Sequence, residues 1–280
     1  MLAVKPENCE PEWKAKLSLW FKNKNEKTVL AQREHYGPLR VQRPFYPEGS
    51  VCHVYLIHPP GGLVGGDKLE INMTLDEGSH VLATTPSAGK FYRSGLLKAV
   101  QKQRFKVADN CFLEWFPQET IFFNACRSEL VTEIELSERA MFCGWEINCL
   151  GRPAAGEKYT EGKIIQQMRV YREGSPLYLE TNSLEGNSDL LRARCGLNNN
   201  TVFGTLLATQ IDKEARDVLQ DVWHNKTEKS ISVTLINDLL VCRYLGNSAE
   251  QAKEYFTQIW SVVRDKQKKL KTCVPRIWST

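Results

Sequence analysis

No apolar run in the 280 residues approaches the ~18 that a membrane-spanning helix needs. No Cys-x-x-Cys, His-x-His or His-Glu-x-x-His occurs, so a tight chelate built from neighbouring residues has little support. Gly-x-Ser-x-Gly is missing, and no glycine-rich stretch ends in Gly-Lys-Ser/Thr, which argues against a nucleophile elbow and a P-loop. Met1 to Glu7 carries no apolar core of a signal peptide, so the expectation is a chain that stays where it is made. The nine cysteines are odd in number and irregularly spaced, which disfavours a disulfide framework and points to free thiols in a reducing cytoplasm.

Net positive charge is confined to one place. Six basic residues and one acid lie between Arg264 and Arg276, and the net charge of +4 therefore leaves the rest of the chain close to neutral. A nucleic-acid binder spreads its cations over a folded face, so this pattern reads as a solvated helix end, not a nucleic-acid surface. Hydrophobic content of 42% and charged content of 25% are those of an ordinary folded protein. With no repeat, low-complexity tract or linker, residues 1–280 read as a single domain.

Most of the chain from Trp13 to about residue 245 has period-two patterning. Leu69, Ile71, Met73 and Leu75 alternate with Glu70, Asn72 and Thr74, the mark of a strand with one covered face. Further strands are expected over 80–85, 105–107, 112–116, 120–123, 140–150, 163–171, 177–180, 202–211 and 230–244. The fold expected is mainly β, a large mixed or antiparallel sheet core with two helices toward the C-terminus. Asp212 is placed to cap the first, with Ala215, Val218, Leu219 and Val222 on one face. Ser248-Ala-Glu-Gln251 is a capping box for the second. Ala252, Phe256, Ile259, Trp260 and Val263 form its core stripe, and Tyr255 and Val262 its opposite face.

Pro59-Pro-Gly-Gly-Leu-Val-Gly-Gly-Asp67 is the most unusual stretch. It reads either as a double turn between strands or as a setting for Asp67, whose parity puts a carboxylate in line with four apolar side chains. Thr84 to Ser94 gathers hydroxyls, cations and an aromatic; Lys90, Tyr92 and Arg93 form a polar network or a partner contact. Glu114, Glu146 and Glu180 are lone acids in apolar strands, each either facing solvent or lining a hydrated interior. Cys52 and His53, adjacent on a strand, point to opposite faces, so His58 and Cys52 remain only weak metal candidates. No catalytic set emerges.

Four stretches and the C-terminal ending together resemble the UreD (UreH) family of urease accessory proteins: His58-Pro-Pro-Gly-Gly-Leu-Val-Gly-Gly-Asp67, Thr84-Thr-Pro with Lys90-Phe-Tyr-Arg-Ser94, Leu113-Glu-Trp with Pro117-Gln-Glu-Thr-Ile121, Gly144-Trp-Glu with Cys149 to Glu157, and Pro275-Arg-Ile-Trp278. Gly89 stands where that family usually has a small hydroxyl residue. The resemblance implies a cytoplasmic, non-enzymatic scaffold that binds urease apoprotein and UreF, receives UreG through UreF, and becomes dimeric in that complex. It also implies Ni2+ in transit through an internal hydrated tunnel, with no tightly bound cofactor. Asp67, Glu146 and Glu180 are the residues expected to line the path. The alternative is a chaperone that stores Ni2+ on Cys and His. Ile277 and Trp278 are candidates for the UreF contact or for packing on their own sheet.

Overall fold

The chain winds back and forth between two stacked sheets. The computed structural model describes residues 13–224 and 230–279. The first strands are β1 (Lys14–Lys24), β2 (Lys27–Tyr36), β3 (Arg40–Val41), β4 (Cys52–Ile57), β5 (Lys68–Leu75), β6 (His80–Thr84), β7 (Gly89–Phe91), β8 (Ala99–Val107) and β9 (Phe112–Phe116). After them come β10 (Thr120–Phe122), β11 (Arg127–Leu136), β12 (Met141–Leu150), β13 (Lys163–Arg172), β14 (Ser175–Glu185), β15 (Val202–Ala208), β16 (Ile231–Ile236) and β17 (Leu239–Gly246). A seven-stranded sheet has the order β14-β13-β11-β8-β5-β1-β2. A ten-stranded sheet runs β16-β17-β15-β12-β9-β6-β4-β3, with β10 beside β12 and β7 beside β10.

From β4 to β13 the main strands fall in the two sheets alternately, so neighbours within each sheet are parallel. Parallel neighbours need a long crossover, and here a strand of the opposite sheet supplies it where a helix would otherwise serve. Antiparallel partners, β2 on β1, β14 on β13 and the run β15-β17-β16, finish the edges. The fold is mainly β, as expected, but its strands divide between two sheets.

Each sheet's sequence reflects what covers it. In the seven-stranded sheet, β5, β11 and β13 alternate buried and partly exposed residues, so one face packs inward and the other meets solvent. β11 is absent from the strands expected above because Arg127, Glu129, Glu133 and Glu135 fill its outer positions. In the ten-stranded sheet, β9 is buried throughout and β12 nearly so, because both faces are covered. One packs on the seven-stranded sheet and the other on a helix. The strand expected over 230–244 is a hairpin, β16 and β17, which turns at Asn237 with a φ of 56°.

That covering helix is α3 (Ala249–Lys268), which follows α1 (Asp189–Arg192) and α2 (Lys213–His224). The Ser248 hydroxyl accepts from Gln251 N at 3.1 Å. The other half of the capping box is diverted: Gln251 Oε1 accepts from the Tyr244 hydroxyl at 2.8 Å. Ala252, Phe256, Ile259, Trp260 and Val263 are all buried. Two residues depart from the reading above: Tyr255 is buried, and Arg264, grouped there with a solvated tail, is fully enclosed. The reason is long-range, since Arg264 meets Glu48 and Glu114 across the sheet. Asp212 Oδ1 accepts from Ala215 N at 2.7 Å and so caps α2, whose Ala215 and Leu219 are buried while Val218 is exposed. The Val222 side chain, Cys9, Met1 to Glu7 and Thr280 lie outside the described residues. Among the described helices none is long and apolar enough to cross a membrane.

Candidate functional site

The glycine-rich stretch is a double turn. Gly61 N donates to His58 O at 2.9 Å, with Gly61 at a φ of +79° that L side chains rarely adopt. The second turn is closed by Asp67, whose Oδ2 accepts from Val64 N at 2.9 Å. Between the turns, Leu63 pairs with the Lys90–Tyr92 backbone at 2.8 Å. A Cβ on Gly62 would sit 2.4 Å from the Tyr92 ring, so the glycine is what lets that ring lie against the loop.

Behind this loop, between the sheets, lies a cavity of about 80 Å³. That is room for several waters. His58 and Lys90 belong to its wall; Gln101, Gln103, Trp115 and Glu146 line it further round. Asp67 does not line it, but its charge reaches His58. Burial pushes the His58 imidazole below its ordinary range, and Asp67 opposes that shift. Asp67 is 7% exposed, on the side of Leu69, Ile71, Met73 and Leu75. β5 itself begins at Lys68, one residue later.

Glu146 is the charge-bearing group inside. It is 4% exposed and projects from β12 toward the seven-stranded sheet, away from Trp145. Thr132 donates its hydroxyl to Oε1, and Gln166 Nε2 donates to Oε2 at 2.6 Å. Burial pushes its pKa up to about 7; the two hydrogen bonds oppose the rise and Glu180 adds to it. Gln166 Oε1 in turn accepts from Asn182 Nδ2 at 2.6 Å. Gln103 faces Thr132 in register, and Gln166 faces Asn182. Four adjacent strands, β8, β11, β13 and β14, thus carry a stepped polar row opposite Glu146, the step lying between β11 and β13, where Gln166 faces Leu130 and not Thr132. Gln103 Oε1 is buried without a protein partner, an acceptor suited to internal water.

At the far end of the row Asn182 lines a second cavity, of about 330 Å³, together with Glu180, Thr205 and Arg243. Glu180 Oε1 accepts from Arg243 Nη1 at 2.7 Å, and Oε2 from Thr205 at 3.3 Å. Arg243 Nη2 is 2.9 Å from the Tyr178 hydroxyl. Glu180 is therefore neutralised by a guanidinium, whereas Glu146 has only neutral donors.

The other residues named from the sequence lie elsewhere. Tyr92 meets Phe123 edge-on at 4.9 Å, and exposed Arg93 lies within electrostatic reach of Glu157. Trp278 packs on its own sheet: its Nε1 donates to Thr84 Oγ1 at 2.9 Å, its ring lies 5.6 Å from Trp145, and Lys253 Nζ sits 4.4 Å from its centre. Cys52 is in the core between the sheets, where burial pushes its thiol up to about 11. His58 and Cys52 belong to no close group of three metal-binding donors among the described residues.

A sequence model described as "UreD urease accessory protein" matches residues 14–279. The urease accessory protein UreD of Azoarcus sp. strain BH72 is 40% identical over 275 residues, covering 97% of this chain and 96% of that one. UreD of Alkalilimnicola ehrlichii is 41% identical over 271 residues, with 96% and 92% covered. That of Dechloromonas aromatica is 39% identical over 286 residues, with 100% and 99% covered. The chain belongs to the UreD family of urease accessory proteins. The four UreD-like stretches near residues 58–67, 84–94, 113–121 and 144–157, far apart in sequence, all contribute walls to the first cavity. Gly89 lines it too, and the Thr120 hydroxyl lies 3.5 Å from where a Cβ would stand. Gln103, Thr132, Gln166, Asn182 and Arg243 were not singled out from the sequence. For the first four the signal was a polar residue at an inward position of an alternating strand, legible only once inward is known; Arg243 stands at an exposed position of β17.

Proposed function

We propose that this chain acts in urease maturation as a cytoplasmic, non-catalytic adaptor that lets Ni2+ cross between its two sheets. On this reading it binds urease apoprotein and UreF, which brings UreG, in a complex that is dimeric. The observation that carries the transit role is the polar row from the His58 cavity through Glu146, Gln166 and Asn182 to the Glu180 cavity.

Transit requires shallow wells. Carboxylate and amide oxygens with water hold a borderline cation less firmly than clustered thiolates, and the row presents only the former. Glu146 suits an intermediate station: it has no countercharge, and with a pKa of about 7 it exchanges a proton for a cation near neutrality. Asp67 holds the turn beside the His58 wall and biases that imidazole. Glu180 and Arg243 stand at the other end. Lys90, Tyr92 and Arg93, around the glycine loop, belong to the polar rim of this surface.

Gln166→Leu tests the reading, because it fills the same space and severs Glu146 from Asn182. Urease activation at limiting nickel should fall severalfold while urease apoprotein and UreF still co-purify with the variant. Undiminished activation would remove the transit role and leave the adaptor.

A further inference from the structure

We propose that Glu48, His53 and Cys273 form a site for a borderline divalent cation of the Zn2+ or Co2+ type, independent of the polar row. Among the described residues these three are the one group whose donor atoms all lie within 4.8 Å of one another. None of them lines either cavity.

Each donor arrives by a different route. His53 lies on β4 with parity opposite to Cys52, so it faces the side of the sheet where Arg264 of α3 sits, and it is fully buried. Glu48 belongs to a loop that doubles back on β4: Phe45 and His53 exchange backbone hydrogen bonds at 3.1 and 3.0 Å. This return brings Glu48 Oε1 to 2.6 Å from His53 Nε2. Cys273 comes from the segment after α3 and is partly exposed, which gives the site an entry path.

Carboxylate, imidazole and thiolate together suit a borderline cation and not Mg2+ or Ca2+. A tetrahedral ion needs its donors about 3–4 Å apart, so the Glu48–His53 contact must open from 2.6 Å, while all three donors already lie within 4.8 Å of one another. The carboxylate and the ionised thiol balance a dication, the thiol proton passing to solvent on binding. Arg264 donates to both Glu48 oxygens, at 2.8 and 2.6 Å, yet it has a second counterion, Glu114 Oε1, 3.2 Å from its Nε. Lys268 lies farther along, 6.0 Å from the Phe112 ring centre. Glu48 Oε2 accepts only the one bond from Arg264 and keeps a lone pair for a cation. His53 Nδ1 is buried with no partner, so the ring has one nitrogen uncommitted. A bound ion would tie the tail that carries Trp278 to the loop before β4.

The test is a Co2+ titration of the full-length chain, read in the thiolate-to-cobalt charge-transfer band, with Zn2+ as competitor. The expected result is a band that saturates at about one equivalent and is displaced by Zn2+. Cys273→Ser should abolish it and weaken binding at least roughly tenfold. Cys195→Ser, at an exposed thiol, should leave it unchanged. In the unmodified chain Zn2+ should also slow alkylation of Cys273 but not of Cys195, a measurement that needs no variant to fold. The proposal is overturned by no band, by a band that survives Cys273→Ser or is lost in Cys195→Ser, or by equal alkylation of Cys273 with and without Zn2+.

Discussion

Two acids on the ten-stranded sheet, Glu114 of β9 and Glu146 of β12, are both enclosed, yet they face opposite ways and have opposite company. Glu114 projects toward α3, where His80 Nε2 lies at 2.8 Å, Trp260 Nε1 donates to it and Arg264 Nε is 3.2 Å away. Glu146 projects between the sheets and meets only a hydroxyl and an amide. A buried carboxylate matched by a guanidinium is a fixed joint; one matched by neutral donors keeps its charge available for a cation that arrives later. The same residue type therefore clamps the helix on one face and is held by neutral donors alone on the other.

The comparison breaks hardest at Arg264. Arg264→Ala leaves Glu48 and Glu114 buried without their shared countercharge and should cost about 3–5 kcal/mol in urea unfolding, with α3 loosened. Glu146→Gln should do the reverse. Folding raises the Glu146 pKa from 4.5 to about 7, a penalty of roughly 3 kcal/mol on the ionised form. Its stability cost is absent below the unfolded pKa and grows as pH rises through the folded one. The variant should therefore unfold later than the parent at about pH 8 and with it at about pH 4; a constant offset across that range would show that Glu146 does not titrate in the fold.

Smaller effects sharpen the contrast at the two ends of the row. Asp67→Asn keeps an acceptor for Val64 N while removing the charge that reaches His58, so urease activation at limiting nickel should drop a few-fold with assembly intact. Asp67→Ala, which also opens the turn, should drop it further. Smallest in stability is Glu180→Gln, worth about 0–1 kcal/mol because its partner Arg243 is half-exposed. A large loss in thermal unfolding would mean the pair is a structural joint like Glu114 and Arg264.

Period-two patterning located β5, β9 and β12 and showed that each acid opposes its neighbouring tryptophan. It could not show which face was which, because β9 and β12 are covered on both sides and read as continuous apolar runs. Glu114 and Glu146 consequently looked alike. Arg264 looked like the start of a basic tail because its partners lie 216 and about 150 residues away. The site's outline was more legible than its lining: His58, Lys90 and Glu146, named in sequence, line the first cavity while Asp67 and Glu180 do not, and Gln103 meets Thr132 through parallel register between β8 and β11 whereas Gln166 meets Asn182 across the antiparallel β13–β14 pair.

The most direct test of the uncompensated interior carboxylate is a nickel dose–response of urease activation by accessory complexes carrying Glu146→Gln. The account predicts normal assembly with urease and UreF, a curve displaced to higher nickel and a lower plateau at limiting metal. A curve superimposable on that of the unmodified complex would contradict it.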